Sequence, residues 1–205
     1  TKQKGEKLYI VCDKDQLDEN GSMQIFSLID KLSAELSIVK DENQKKNLLI
    51  HRAIAHSVLR DFEAAIQDFD DYLKLDDHNA LAYWARAVCQ MEMDEFHVAE
   101  GQPILNVHSA EADLSDAIRL SNNNNAYIYY NRANLHAKRK ELSKAIDDYT
   151  MAIKIDNRLA EAYYNRGIAR SKSGNKAAAI QDLSKAGELG LYDAYSVIKR
   201  LNKQK

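Results

Sequence analysis

The chain holds one proline, Pro103, in 205 residues, and only seven glycines. So few built-in breaks favour helices over many short strands. Cysteine occurs twice, as Cys12 and Cys89. Two cysteines make neither a disulfide framework nor a metal knuckle, and both are read as free thiols. Acid and base nearly cancel, leaving a net charge of −2. Bulk attraction to nucleic acid or to an anionic membrane is therefore not expected. No apolar run approaches the roughly 20 residues that cross a bilayer, so no membrane insertion is expected. No serine has a nucleophile-elbow setting and no glycine-rich phosphate loop occurs. No catalytic residue and no cofactor is assigned on these grounds. His97, Glu100 and His108 lack the spacing of a helical ligand pair, and no metal is assigned. The sequence begins at Thr1 and reads as a piece of a longer protein, with the compartment left open between cytoplasm and periplasm.

What is present is a core and a period. Hydrophobic residues make up 45% of the chain, which argues against wholesale disorder. A pattern of small, aromatic and aliphatic residues starts at Lys46 and returns at Ala80, Ala126 and Ala160. The last interval is 34 residues without a gap. A fixed period in this range means stacked units, each unable to bury its apolar face alone. Within a unit numbered from these starts, position 8 is Ala53, Ala87, Ala133 and Gly167. Position 20 is Ala65, Ala110, Ala145 and Ala179, and position 27 is Tyr72, Ala117, Ala152 and Ala186. Bulky residues stand beside them: Leu49, Tyr83, Tyr129 and Tyr163 at position 4, and Phe69, Leu114, Tyr149 and Leu183 at position 24. Small residues at a crossing with large ones alongside suit antiparallel helix pairs.

These residues, with the helix start "AYYNRG", resemble the tetratricopeptide repeat family over Lys46–Leu189. The resemblance implies an all-α, right-handed superhelix of four helix-turn-helix repeats. It also implies that each first helix lines a concave groove. The expected divisions are a lead-in over 1–21, a flanking helix over 22–40 and repeats at 46–79, 80–125, 126–159 and 160–190. A capping helix follows over 191–205. The second repeat carries an insertion at about 94–105, expected as a projecting loop. The C-terminal part also looks like the close of repeat segments in larger bacterial proteins. The family's proline near position 32 is absent, and Asx-rich turns ("DDHN", "SNNNN") are expected to break the chain instead. Position 11, often Tyr in the family, is His56, Gln90, His136 and Arg170.

Two polar patterns recur. Arg52, Arg86, Arg132 and Arg166 occupy position 7, and Asp68, Asp113, Asp148 and Asp182 occupy position 23. They are read as a structural ladder, because a planar guanidinium can satisfy a carboxylate with two bonds. Partner recognition is the other use of such a set. The second pattern is the groove the resemblance implies, with Trp84, Tyr130 and Tyr164 at position 5 and Asn131 and Asn165 at position 6. Asn134 stands at position 9, and Lys138 and Lys172 at position 13. Aromatic anchors with amides that pair backbone groups would suit an extended peptide. Position 5 could equally pack the next repeat. The expected function is non-catalytic binding of a protein segment in the groove. The alternatives are self-assembly, with homo-oligomers as one outcome, and docking within a larger protein, an enzyme among the options. Position 5 offers no Lys, so a lysine–asparagine clamp for a carboxylate tail is incomplete.

Overall fold

The structure, a computed structural model, describes residues 18–99 and 107–203. Ten helices and no strand occur among them. The chain divides into two compact units that meet in sequence at Asn123 and Asn124.

The N-terminal unit holds α1 (Glu19–Ile38), α2 (Glu42–Val58), α3 (Phe62–Leu73), α4 (Ala80–Ala99) and α5 (Val107–Leu120). Helix α1 begins ahead of the expected Ser22 because Asp18 caps it, accepting from the Gly21 N–H at 2.7 Å. Asp41 caps α2 in the same way, accepting from Gln44 N–H at 2.7 Å. Helix α2 pairs with α3 and α4 with α5, and α3 packs on α4. Leu49, Ala53, Ala65, Phe69, Tyr72, Leu73, Ala82 and Cys89 form the core. Burial, aided by Glu92, pushes the Cys89 thiol up to about 12, so it stays protonated as a free packing residue. Cys12 lies outside the described residues.

Asp94–Ala99, placed in a projecting loop, continues α4 as helix. Between Ala80 and Gly101 there is no proline or glycine, so nothing in the covalent chain stops the helix sooner. Residues 100–106, with Pro103, lie outside the described residues.

The C-terminal unit holds α6 (Ala126–Lys138), α7 (Leu142–Ile155), α8 (Ala160–Lys172), α9 (Lys176–Glu188) and α10 (Asp193–Lys203). Helices α6 and α7 pair, α8 and α9 pair, α7 packs on α8, and α10 covers α9. The small-residue positions are crossings in fact. Ala133, Ala145, Ala152, Ala179 and Ala186 are fully buried. A Cβ on Gly167 would stand 2.9 Å from Leu183 Cγ and 3.2 Å from the Ala179 carbonyl oxygen. A Cβ on Gly187 would run into the Tyr195 ring, so this glycine lets α10 settle on α9.

Helices α2, α6 and α8 end alike. Arg60, Lys140 and Gly174, all at position 15, have φ of 62°, 63° and 89°. Around each, two backbone bonds close the helix, as in Glu141 N–H to His136 O at 2.9 Å and Lys140 N–H to Ala137 O at 3.1 Å. This is the Schellman arrangement, and it reappears at Gly190 and around Asn122 and Asn123. The asparagines thus act through left-handed backbone, while Asn125 caps α6 by accepting from Tyr127 N–H at 3.0 Å. Only Gly174 and Gly190 advertise such an ending in sequence. Arg60 and Lys140 adopt it under tertiary constraint.

Candidate functional site

Four arginines run along the first helices and four aspartates along the second. Arg52 holds Asp68 through Nε at 2.8 Å and Nη2 at 2.6 Å. Arg86 holds Asp113 at 2.8 and 2.7 Å. Arg132 holds Asp148 at 2.8 and 2.8 Å, and Arg166 holds Asp182 at 2.9 and 2.7 Å. Every pair is bidentate, the geometry only arginine supplies. All four aspartates are buried.

The remaining guanidinium nitrogen does further work that the spacing does not reveal. Nη1 of Arg52 donates to Ser33 on α1 at 3.0 Å. Nη1 of Arg86 donates to Asp70 on α3 at 2.6 Å, and Nη1 of Arg166 donates to Thr150 on α7 at 2.9 Å. Each of these arginines therefore ties its own hairpin to the preceding helix. The guanidinium carbons of Arg86, Arg132 and Arg166 also stand 5.6, 5.7 and 5.6 Å from the ring centroids of Tyr83, Tyr129 and Tyr163. A sequence signal existed: position 25 reads Asp70, Ser115 and Thr150, always an oxygen-bearing side chain.

Position 11 joins the same polar layer. His136 Nδ1 lies 2.8 Å from Glu141 and its Nε2 3.6 Å from Asp148. His56 Nδ1 lies 3.1 Å from Asp61, and Arg170 donates to Asp182 at 2.8 Å. At three of the four copies, His56, His136 and Arg170, an acid thus lies within reach of the polar side chain that stands where the family often has tyrosine.

The groove set behaves differently. Tyr130, Asn131, Asn134, Tyr164 and Asn165 are buried, Trp84 is half-buried, and Lys138 and Lys172 are exposed. Trp84 belongs to the N-terminal unit and the other seven to the C-terminal unit. The aromatic side chains are therefore not laid open as a stripe. Tyr130 instead packs against Tyr149, with centroids 5.9 Å apart and planes at 55°.

Around that contact runs an amide network. Tyr149 O–H donates to Asn134 Oδ1 at 2.6 Å. Burial, and then the neighbouring Tyr130, holds the Tyr149 phenol well above its ordinary range, so it remains a donor. The Asn165 amide donates to Asn134 Oδ1 at 3.0 Å and to the Tyr130 oxygen at 3.0 Å. Asn134 thus spends its acceptor twice, whereas its Nδ2 donor, also buried, has no acceptor. An unused buried donor costs about 1–3 kcal/mol. Lys138 and Lys172 stand at the C-terminal ends of α6 and α8, the two helices that share this network.

Chemically, this arrangement is a helical-repeat scaffold in which the first helices are neighbours within each unit, α2 beside α4 and α6 beside α8. Among the described residues no cluster of His, Cys, Asp or Glu could hold a metal ion, and no helix is long and apolar enough to cross a membrane.

Comparison with known proteins names the class. Residues 126–158 and 160–189 each match a tetratricopeptide repeat profile. The chain is 32% identical over 100 residues to small glutamine-rich tetratricopeptide repeat-containing protein beta of Homo sapiens, covering 46% of this chain and 33% of that protein. It is 24% identical over 157 residues to a DnaJ homolog subfamily C member 7 homolog of Dictyostelium discoideum, covering 75% and 29%. The chain therefore spans about a third of the length of the relatives it matches. A crystal structure of MamA superposes with a TM-score of 0.69 at 22% identity, over 87% of this chain and 98% of that one. MamA from Desulfovibrio magneticus RS-1 gives 0.67 at 18%, over 83% and 91%. Likeness at these identities establishes the fold, an all-α tetratricopeptide solenoid. Residues 126–158 and 160–189 are thus tetratricopeptide repeats, and proteins built of such repeats are typically non-catalytic protein-interaction scaffolds.

Proposed function

We propose that the chain binds an extended peptide segment of a protein partner along the first helices α6 and α8. The observation that carries this reading is the Asn134 Nδ2 donor, buried without an acceptor beside Asn131 and Asn165. Asn134 is fully buried, so a peptide carbonyl would accept that donor and relieve its cost only once the side chains over the network move aside. Lys138 and Lys172, one helix apart and exposed, add positive charge at the same ends of α6 and α8 and favour a segment with acidic side chains. Tyr130 braces the amides by accepting from Asn165, and Tyr164 packs in the core with Leu183 and Val197, rather than either contacting ligand as an open stripe. In the N-terminal unit Trp84 is the aromatic candidate for its own wall.

The test is calorimetric titration with an acidic peptide selected against the 205-residue chain from a display library. Asn131→Ala with Asn165→Ala should abolish binding. Because Asn165 also braces Tyr130 and Asn134, the exposed pair Lys138→Glu with Lys172→Glu provides a second variant that leaves the core intact. Loss of about tenfold or more in affinity is expected from the lysine pair. Unchanged affinity in both double variants, with helix content preserved, rules the wall out.

A further inference from the structure

We infer that copies of this chain associate through two unlike faces, the outer stripe of α1 in one copy meeting the outer face of α10 in the next. This contact uses neither the amide network nor the two wall lysines.

Helix α1 buries Leu32 and half-buries Ile25, Ile29 and Leu36. On another face, Glu19, Met23, Phe26 and Asp30 follow at intervals of four, three and four residues, which aligns them along one side. Met23 is 68% exposed and Phe26 59%. Two large apolar side chains in one stripe, bracketed by carboxylates, are unlike the single exposed residues any surface carries.

Helix α10 buries Ala194, Val197 and Leu201 against α9. Its other side carries Tyr195, Lys199 and Lys203 at intervals of four, with Arg200 exposed beside them. Tyr192 precedes the helix by one residue. Tyr192 is 73% exposed and Tyr195 49%, although the Tyr195 ring rests partly over Gly187.

The two faces complement each other. Each offers a pair of large apolar or aromatic groups; acids stand on both sides of the pair on α1, whereas on α10 three bases follow the pair and outnumber Asp193, which lies between the two tyrosines. Pairing α1 with α1 sets carboxylates against carboxylates, and pairing α10 with α10 sets ammonium groups together. Only the mixed pairing brings opposite charges over a shared apolar centre. A contact between two different faces is heterologous. It leaves one free face of each kind at every stage and grows open chains unless a ring closes. Two helix faces bury less than the roughly 1,200 Å² of a stable complex, so the association depends on concentration.

Sedimentation velocity on the 205-residue chain tests this. At low salt the average mass should rise beyond a dimer across about a hundredfold range of concentration. Raising salt from about 0.05 M to about 0.5 M should weaken association about tenfold. Phe26→Glu alone, or Lys199→Glu with Lys203→Glu, should each hold the chain as a monomer with unchanged circular dichroism, since all three positions are exposed. The first variant retains an intact α10 face and the second an intact α1 face. Mixed in equal amounts, they should form a dimer and stop there. A wild-type chain that stays monomeric at every concentration, one that stops at a closed dimer, or a variant mixture that does not pair overturns the inference.

Discussion

The two units use the same clip beside different walls. Arg52–Asp68 and Arg86–Asp113 in the N-terminal unit have the same bidentate geometry as Arg132–Asp148 and Arg166–Asp182 in the C-terminal unit. At position 9, however, the N-terminal unit has Ile54 and Val88, whereas the C-terminal unit has Asn134 and Ile168. At position 6 it has His51 and Ala85 in place of Asn131 and Asn165. At position 24 it has Phe69 and Leu114, whereas Tyr149 in the C-terminal unit supplies the hydroxyl that Asn134 accepts. Both tetratricopeptide profile matches reported above fall in the C-terminal unit. Hairpin assembly therefore uses a recurring electrostatic clip and small crossing residues. The character of the wall varies independently of both.

The largest expected effect breaks the clip where it is most buried. Asp182 serves both Arg166 and Arg170, and Arg166 is itself buried. Asp182→Ala should cost about 3–5 kcal/mol, because two guanidinium groups lose their carboxylate inside the unit. Asp68→Ala should cost less, since the Arg52 side chain is 24% exposed and keeps Ser33. Urea unfolding followed by circular dichroism compares the two. An equal or larger loss for Asp68→Ala would show that burial does not grade the clips.

Next comes the crossing. Gly167→Ala places a methyl 2.9 Å from Leu183 Cγ and should cost about 1–3 kcal/mol by overpacking. A rise in melting temperature instead would mean that the helix-propensity gain outweighs the crowding.

The walls themselves separate by a comparable margin. Asn165→Ala removes two donated bonds from the amide network and should cost about 1–3 kcal/mol. Ile54→Asn in the N-terminal unit, at an exposed site, should stay within about 0.5 kcal/mol. If both cost the same, the network is not a cooperative feature of the C-terminal unit.

The smallest effect concerns pH. The His136 hydrogen bond, followed by that of Lys144, holds the Glu141 carboxyl below its ordinary value. A carboxyl lowered in the folded state stabilises above its unfolded pKa, and this contribution fades as pH falls through the folded one. Glu141→Gln should therefore flatten the acid side of the stability–pH curve and leave its alkaline side unchanged. Curves that remain parallel from neutral to acid pH would remove Glu141 from the acid response.

Much of the fold was legible from Ala and Gly at positions 8, 20 and 27. These report the covalent need for close helix approach, which no neighbour can change. The Schellman endings at Arg60 and Lys140 were not, because neither residue prefers left-handed backbone and only packing puts it there. The wall was half legible. Repeat numbering placed Asn131, Asn134 and Asn165 on first helices, but exposure depends on what the adjacent hairpins cover. Tyr130 and Tyr164 could thus be assigned a helix without being assigned to solvent.

By itself, then, the order of residues determined a helical-hairpin solenoid with an arginine and an aspartate in every repeat, since periodicity and side-chain volume act within about one hairpin. Only the tertiary structure decided that the third guanidinium nitrogen reaches the preceding helix, that Asn134 keeps an unused donor, and that Met23 and Phe26 stay exposed. Each of these depends on distances between groups remote in sequence, which packing sets and local pattern does not.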